Sequence, residues 1–216
     1  MAVDAVLLAA AVDVHENERV LDLGTGVGAV GLCLATRVER CTVVGIELQQ
    51  VLAALAVRNA ALNGLGDRIR TVVHDIARAL PEDIGPFDHV ATNPPYLAAA
   101  VADPSPNPIK ALATVESSAD LGRWLGVATG ALGPEGTLTL IHRSDRLEEI
   151  IAHLERLGWR DITIKPLAPA ARVLLRARRA AALARRDLPP LVLHRPDGGY
   201  TAEAEAILRG GQPLAF

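Results

Sequence analysis

The chain has 216 residues, half of them hydrophobic, a net charge of −3 and only 3% aromatics. This length suits one domain with a sizeable core built from Ala, Val, Leu and Ile. The charge balance excludes whole-chain attraction to nucleic acid, so any such binding needs a local basic patch.

Cys33 and Cys41 lack metal-ligand spacing and read as reduced core residues, with neither a disulfide nor a metal expected. The first residues carry no positive n-region, and no apolar run approaches the roughly 20 residues that span a bilayer. The chain therefore reads as soluble and cytoplasmic.

In chain order, a helix is expected from Asp4, a possible N-cap, to about Val14. Arg19–Leu23 reads as a buried strand, then a helix runs from Val27 to about Arg37 and a strand from Cys41 to Glu47. A long helix follows to Asn63, stopped by Gly64 at a left-handed position. Strands are expected at Arg70–His74 and Phe87–Thr92, then an irregular stretch with Pro104, Pro106 and Pro108. A helix from about Ser118 to Leu132, a strand over Gly136–His142 and a helix over Arg146–Leu157 complete the alternation.

Two last strands, near Asp161–Lys165 and Arg172–Arg176, are close enough to pair as a hairpin, and Tyr200 with Glu203–Leu208 suggests a small docked helix. The pattern predicts an α/β fold, a doubly wound, mostly parallel seven-stranded sheet with helices on both faces and an antiparallel hairpin at its edge. No repeat or linker divides residues 1–216, which read as one domain.

Asp22 leads into a turn with glycines at 24, 26 and 28, where the backbone must bend sharply and approach a ligand. With Ala29 the turn also satisfies the dinucleotide pattern, so a nicotinamide enzyme is a rival reading. Asp22 separates the two: a carboxylate there faces a pyrophosphate unfavourably but suits a positively charged amino acid end, as in S-adenosyl-L-methionine (SAM). Glu47 ends the second strand, where it can accept two ribose hydroxyls. Asp75 follows the third, where it can accept an adenine amine, with Ile76 beside it. Ligands in open α/β sheets gather at these carboxyl ends. Each acid alone is as well explained as a loop residue facing solvent.

Asn93-Pro94-Pro95-Tyr96 follows the fourth strand. A conjugated NH2 is a poor nucleophile because its lone pair is delocalised. Two acceptors, the Asn93 side-chain oxygen and the Pro94 carbonyl, can take its two hydrogens and aim the lone pair at a methyl donor. Pro95 holds residue 94 extended, and Tyr96 offers a face for a planar group. A plain Pro-Pro turn is the bland alternative, and the position at a strand end on the cofactor edge argues against it.

The glycine turn followed by this tetrapeptide resembles the SAM-dependent amino-methyltransferases. More of the chain is similar to the tRNA(Val) adenine-N6 methyltransferase family: Val3–Ala9, Asn59–Gly64, and the terminal stretch from Leu193 through His194, Tyr200 and Glu203 to Leu208. The resemblance implies a Rossmann-like class I methyltransferase, SAM as cofactor and an RNA adenine as acceptor. It places Asn93, Pro94, Pro95 and Tyr96 in catalysis and Asp22, Gly24, Thr25, Gly26, Gly28, Glu47, Leu48, Asp75 and Ile76 at the cofactor.

Family members carry a further N-terminal segment before the match to Asp4, and here it is expected to be missing or shortened. Asp4 can also approach the methionyl end of SAM. An RNA substrate, expected to be tRNA, would meet Arg172, Arg176, Arg178, Arg179, Arg185, Arg186 and Arg195, unless these arginines merely solvate a helix or an edge strand. His74, His89, His142 and His153 read as structural, with no metal and no membrane partner, in a monomer or homodimer. Competing readings are a protein glutamine-N5, rRNA guanine-N2 or DNA adenine methyltransferase, and a catalytically silent SAM- or RNA-binding module.

Overall fold

A computed structural model describes residues 3–81, 83–96 and 119–216. The expected stretch around Pro104, Pro106 and Pro108, and the helix start at Ser118, lie outside the described residues. The elements run α1 (Val3–Ala11), β1 (Arg19–Leu23), α2 (Ala29–Arg37), β2 (Thr42–Glu47), α3 (Gln50–Leu62), β3 (Ile69–Val73), β4 (Phe87–Thr92), α4 (Leu121–Ala131) and β5 (Leu132–Arg143). A 3-10 turn (Ser144–Arg146) leads to α5 (Leu147–Arg156), β6 (Asp161–Ala168), β7 (Arg172–Arg178), β8 (Ala184–Asp187), β9 (Leu191–Val192) and α6 (Ala202–Leu208).

The strands form one sheet in the order β3-β2-β1-β4-β5-β7-β6-β8, with β9 also beside β6. β1 to β5 are mutually parallel, so their carboxyl ends share one edge. β7 runs antiparallel between β5 and β6, which confirms the hairpin expected from sequence. Among the described residues the sheet carries nine strands, not seven. The two extra, β8 and β9, pair parallel to β6. They escape a hydrophobicity reading because β8 is Ala-Arg-Arg-Asp with its arginines exposed, and β9 is two residues long.

The alternation of buried side chains along each strand divides the core into two clusters. Val20, Val43, Ala91, Ile141 and Leu174 join residues of α1, α2 and α6. Leu21, Ile46, Val90, Leu140 and Leu175 join residues of α4 and α5 on the opposite face. Helices thus cover both faces, as parallel strands require.

Helix α1 is pinned at its carboxyl end. Arg37 donates to the carbonyls of Ala9 and Val12, both at 2.8 Å, and Arg176 donates to that of Ala11 at 2.6 Å. These guanidiniums take up carbonyls that a helix end leaves unpaired. Asp4, expected as a cap, lies instead within the first turn of α1, which begins at Val3.

Among the described residues no helix is long and apolar enough to cross a membrane.

Candidate active site

β1 lies between β2 and β4, the point at which chain order reverses across the sheet. A cleft opens at the shared carboxyl edge there. Gly24 and Gly26 from the turn, Glu47 at the end of β2 and Leu48 after it, His74, Asp75 and Ile76 after β3, and Asn93 and Pro95 after β4 all line it. Trp124 of α4 forms part of its wall.

Each element of the turn has a local cause. Gly24 has φ +82°, and a Cβ there would lie 2.8 Å from the Trp124 ring, so neither backbone nor space admits a side chain. Gly28, at φ +84°, is the N-cap of α2, and a Cβ there would press on Ala56. The Thr25 hydroxyl donates to the Asp22 carboxylate at 2.6 Å. Asp22 itself is buried, and neither it nor Thr25 nor Gly28 is among the cleft-lining residues. These three shape the turn from beneath.

Burial pushes the Asp22 carboxyl up to about 7, and the neighbouring Glu47 charge adds to the rise. Hydrogen bonds from Thr25 and the Gly31 backbone offset part of it.

Glu47 is held from two sides. Its carboxylate accepts from Gly26 N at 2.8 Å and from Gln49 N at 2.9 Å, one bond to each oxygen. A carboxylate offers about four lone-pair sites, so this anchoring leaves capacity towards the cleft. Asp75 accepts from Ala77 N at 2.9 Å.

Asn93 carries the most telling feature. Its side-chain oxygen is buried and has no hydrogen-bond partner. Three residues on, Tyr96 reaches back to helix α1. The Tyr96 hydroxyl donates to Asp4 at 2.9 Å. Burial, followed by the Asp4 charge, pushes the Tyr96 phenol up to about 12.

The Arg172 guanidinium lies 4.5 Å from the Tyr96 ring centroid, so one face of the ring is already covered. The imidazole of His142 meets the same ring edge-on at 5.2 Å, and its Nε2 donates to the Pro95 carbonyl at 3.3 Å. Burial pushes His142 down to about 4, keeping it a neutral donor near neutral pH.

Sequence reasoning missed Trp124, His74, His142 and the contact of Asp4 with Tyr96. The Trp124 indole donates to Thr92 Oγ1 at 2.7 Å, and Thr92 donates to the Leu23 carbonyl at 2.8 Å, tying α4 to both flanking strands. The one available signal was a tryptophan in a helix otherwise rich in Gly, Ala and Leu.

The arginines do not form one patch. Arg172 pairs with Asp4 at the cleft edge. Arg176 is buried, bound to the Ala11 and Phe216 carbonyls, and so is withdrawn from any phosphate. Arg178 pairs with Asp13, Arg185 with Glu148 and Arg186 with Asp161, while Arg179 lies over Trp159. Because β7 runs antiparallel, Arg178 is opposite Asp161 at the amino end of β6, about 20 Å along the sheet from Arg172. Among the described residues, no group of His, Cys, Asp or Glu is arranged to hold a metal ion.

Residues 3–149 match the family described as the methyltransferase small domain. A tRNA1(Val) (adenine(37)-N6)-methyltransferase from Dickeya chrysanthemi is 31% identical over 219 residues, covering 95% of this chain and 85% of that protein. A release factor glutamine methyltransferase from Deinococcus radiodurans is 35% identical over 171 residues, covering 76% of this chain and 59% of its own length. Among solved structures, a predicted O-methyltransferase from Agrobacterium tumefaciens covers 99% of both chains with a TM-score of 0.80 at 26% identity.

Proposed function

Because the chain belongs to the methyltransferase small domain family, we propose that it methylates the exocyclic N6 of an adenine in tRNA. It is a SAM-dependent methyltransferase, similar over nearly its whole length to a tRNA adenine-N6 enzyme. The observation that carries the choice of a planar NH2 as acceptor is the buried, unpartnered Asn93 oxygen in the cleft. Leaving such an acceptor unmade costs about 1–3 kcal/mol, a penalty that an incoming N–H removes.

The residues present fit the cofactor. Gly24 and Gly26 bring bare backbone to the cleft, and Glu47 is anchored with lone pairs to spare for ribose hydroxyls. Leu48 and Ile76 give apolar walls beside Asp75, a combination suited to a purine with an amine edge. Asp22, with Thr25 and Gly28, supports the turn and supplies negative charge beneath it for a cationic amino acid end. Bound SAM supplies an electrophilic sulfonium methyl group.

The chain's own contribution is orientation. The Asn93 oxygen and the Pro94 carbonyl accept the two N–H groups of the acceptor, which turns its lone pair out of conjugation and stabilises the charge that develops on nitrogen. Pro95, fixed by His142, keeps the loop in place. The face of the Tyr96 ring opposite Arg172 is the surface against which the base rests. No strong base is needed, because a methylated aminium loses its proton readily to solvent.

For the RNA, the exposed Arg178, Arg179, Arg185 and Arg186 are the candidates for phosphate contact. The partners of Arg178 and Arg185 are exposed acids, and exposed ion pairs worth about 0–1 kcal/mol are readily exchanged, whereas Arg186 is held more firmly by the largely buried Asp161 and by Thr163. They would grip tRNA away from the reacting base, in the cytoplasm. A glutamine amide offers the same planar NH2, and the 35% identity to a glutamine methyltransferase favours it as the second reading.

Labelled SAM with unmodified tRNA, and separately with a release factor, followed by digestion, decides between them. N6-methyladenosine supports the first reading. Label on a glutamine and none on RNA replaces it with the second.

A further inference from the structure

We propose that the stacked pair of His194 and Tyr200, on the hairpin between β9 and α6, is a platform for a second, unpaired base of the RNA substrate. The inference rests on the RNA reading above and adds where the strand is held beside the clamp.

Topology brings this hairpin to the catalytic edge. β7 is antiparallel to β5 and β6 is antiparallel to β7, so β6 runs with β5. β9 lies parallel to β6, with Leu191 and Val192 opposite Leu167 and Ala168 at the carboxyl end of β6. The chain therefore leaves β9 at the same edge at which Asn93 leaves β4. The path β4-β5-β7-β6-β9 crosses four strand spacings, about 20 Å. Single-stranded sites that hold about 4–16 nucleotides cover such a span.

The hairpin is firmly built. Leu193 N donates to the Ala168 carbonyl at 2.7 Å, and Thr201 N to the Leu193 carbonyl at 3.0 Å. Across the tip Arg195 N donates to the Gly199 carbonyl at 2.8 Å, with Gly198 at φ +85° making the turn. The two rings stack with centroids 4.7 Å apart and planes 25° from parallel. His194 Nδ1 lies 3.2 Å from the Gly198 carbonyl, which only accepts, so Nδ1 is the donor. Tyr200 is half-buried against the core, whereas His194 is exposed. An imidazole backed by a second ring and tied at one nitrogen is ordered before a base arrives, so binding costs it little freedom.

The charges along the edge suit a nucleic acid. Arg143 and Arg172 are directly opposite each other at the ends of β5 and β7, a placement of like charges that sheets disfavour. Arg195 follows His194. Arg143 and Arg195 pair with the exposed Asp145 and Asp197, contacts that a phosphate readily replaces. Guanidiniums thus mark the edge from the clamp to the platform, and unpaired RNA bases are held by stacking on rings beside such groups. A hairpin that merely joined β9 to α6 would need its backbone bonds but no exposed imidazole on the tyrosine.

The test uses the full chain and its His194→Ala and His194→Phe variants. The probes are an RNA stem-loop carrying adenine in its loop, and the stem alone as a duplex. Affinity for each RNA by filter binding, SAM affinity by calorimetry, thermal stability, and kcat and KM for the stem-loop are recorded. The 1H–13C signals of the His194 ring, assigned through their loss in His194→Ala, are followed in the wild type as each RNA is added.

His194→Ala is expected to raise Kd and KM for the stem-loop by about tenfold or more. It leaves kcat, SAM affinity and duplex affinity within about twofold. His194→Phe keeps a stacking face and stays within about threefold of the wild type. The wild-type ring signals move upfield with the stem-loop and not with the duplex.

Wild-type stem-loop affinity in His194→Ala would overturn the proposal, as would equal losses for stem-loop and duplex. A His194→Phe as impaired as His194→Ala would overturn it too, since the bond to Gly198 rather than the ring face would then matter. If His194→Ala is poorly folded, the wild-type ring signals decide alone. A stem-loop that is methylated while those signals stay unmoved overturns the platform and leaves the proposed function standing. A stem-loop neither bound nor methylated overturns both.

Discussion

Asp22 is a carboxylate kept in an unfavourable place, and Asp22→Asn measures how unfavourable. Its carboxyl rises from 3.8 to about 7 on folding. That difference of about three pH units, at about 1.4 kcal/mol each, means that holding the charge costs the folded protein up to about 4 kcal/mol above neutrality. The residue is 2% exposed, so solvent does little to screen this.

The sign follows from proton binding. Between pH 3.8 and about 7 the folded form retains a proton that the unfolded chain has lost. This group's contribution to stability therefore falls as pH rises through that window and is flat beyond it. The asparagine carries no charge, and its amide can be accommodated. Its oxygen can accept from Gly31 N–H, and its NH2 can donate to Thr25, whose hydroxyl serves either role.

Urea unfolding at pH 4, 6 and 8 should thus find the variant gaining on the wild type as pH rises, by about 2–4 kcal/mol at pH 8. SAM affinity should move the other way, with the variant about tenfold or more weaker at pH 8. Wild-type affinity should decline below pH 7, while that of the variant does not. A stability difference that is independent of pH, or a variant less stable at pH 8, would refute the reasoning.

Other substitutions probe the rest of the edge. Gly24→Ala combines a positive φ with a Cβ 2.8 Å from Trp124 and should cost about 1–3 kcal/mol by thermal denaturation, together with most SAM binding by calorimetry. Glu47→Gln exchanges one anchored acceptor for a donor facing a backbone N–H, and SAM affinity should fall about 10- to 100-fold in the same titration. Trp124→Phe removes the indole bond to Thr92 and should lower stability by about 1 kcal/mol in urea. Reversing the charge of Arg185 and Arg186 together should weaken tRNA binding and flatten its salt dependence without changing SAM affinity, as measured by filter binding.

What the sequence disclosed, and what it withheld, follows from the range of the interactions. Arg19–Leu23, Phe87–Thr92 and the glycine turn are legible because a buried parallel strand is a short apolar run and a tight turn demands glycine. Glu47, Asp75 and Asn93 are legible because strand ends converge once the strands are parallel.

Contacts that join distant positions left no local trace. Nothing near Asp4 announces Tyr96, and nothing near His142 announces the Pro95 carbonyl. The arginines misled for the same reason. They are neighbours in number, but the antiparallel β7 carries them from one edge of the sheet to the other, and period-two alternation turns Arg176 inward against α1. β8 is a polar strand held by backbone pairing to β6 and by the ion pairs of its arginines, which no hydrophobic pattern reports.

The measurement that bears most directly on the account is single-turnover methyl transfer to unmodified tRNA by Asn93→Ala at saturating SAM. A loss of at least about a hundredfold in rate, with cofactor affinity unchanged, is the expected result. Turnover equal to that of the wild type would contradict the claim that this buried oxygen directs the accepting nitrogen.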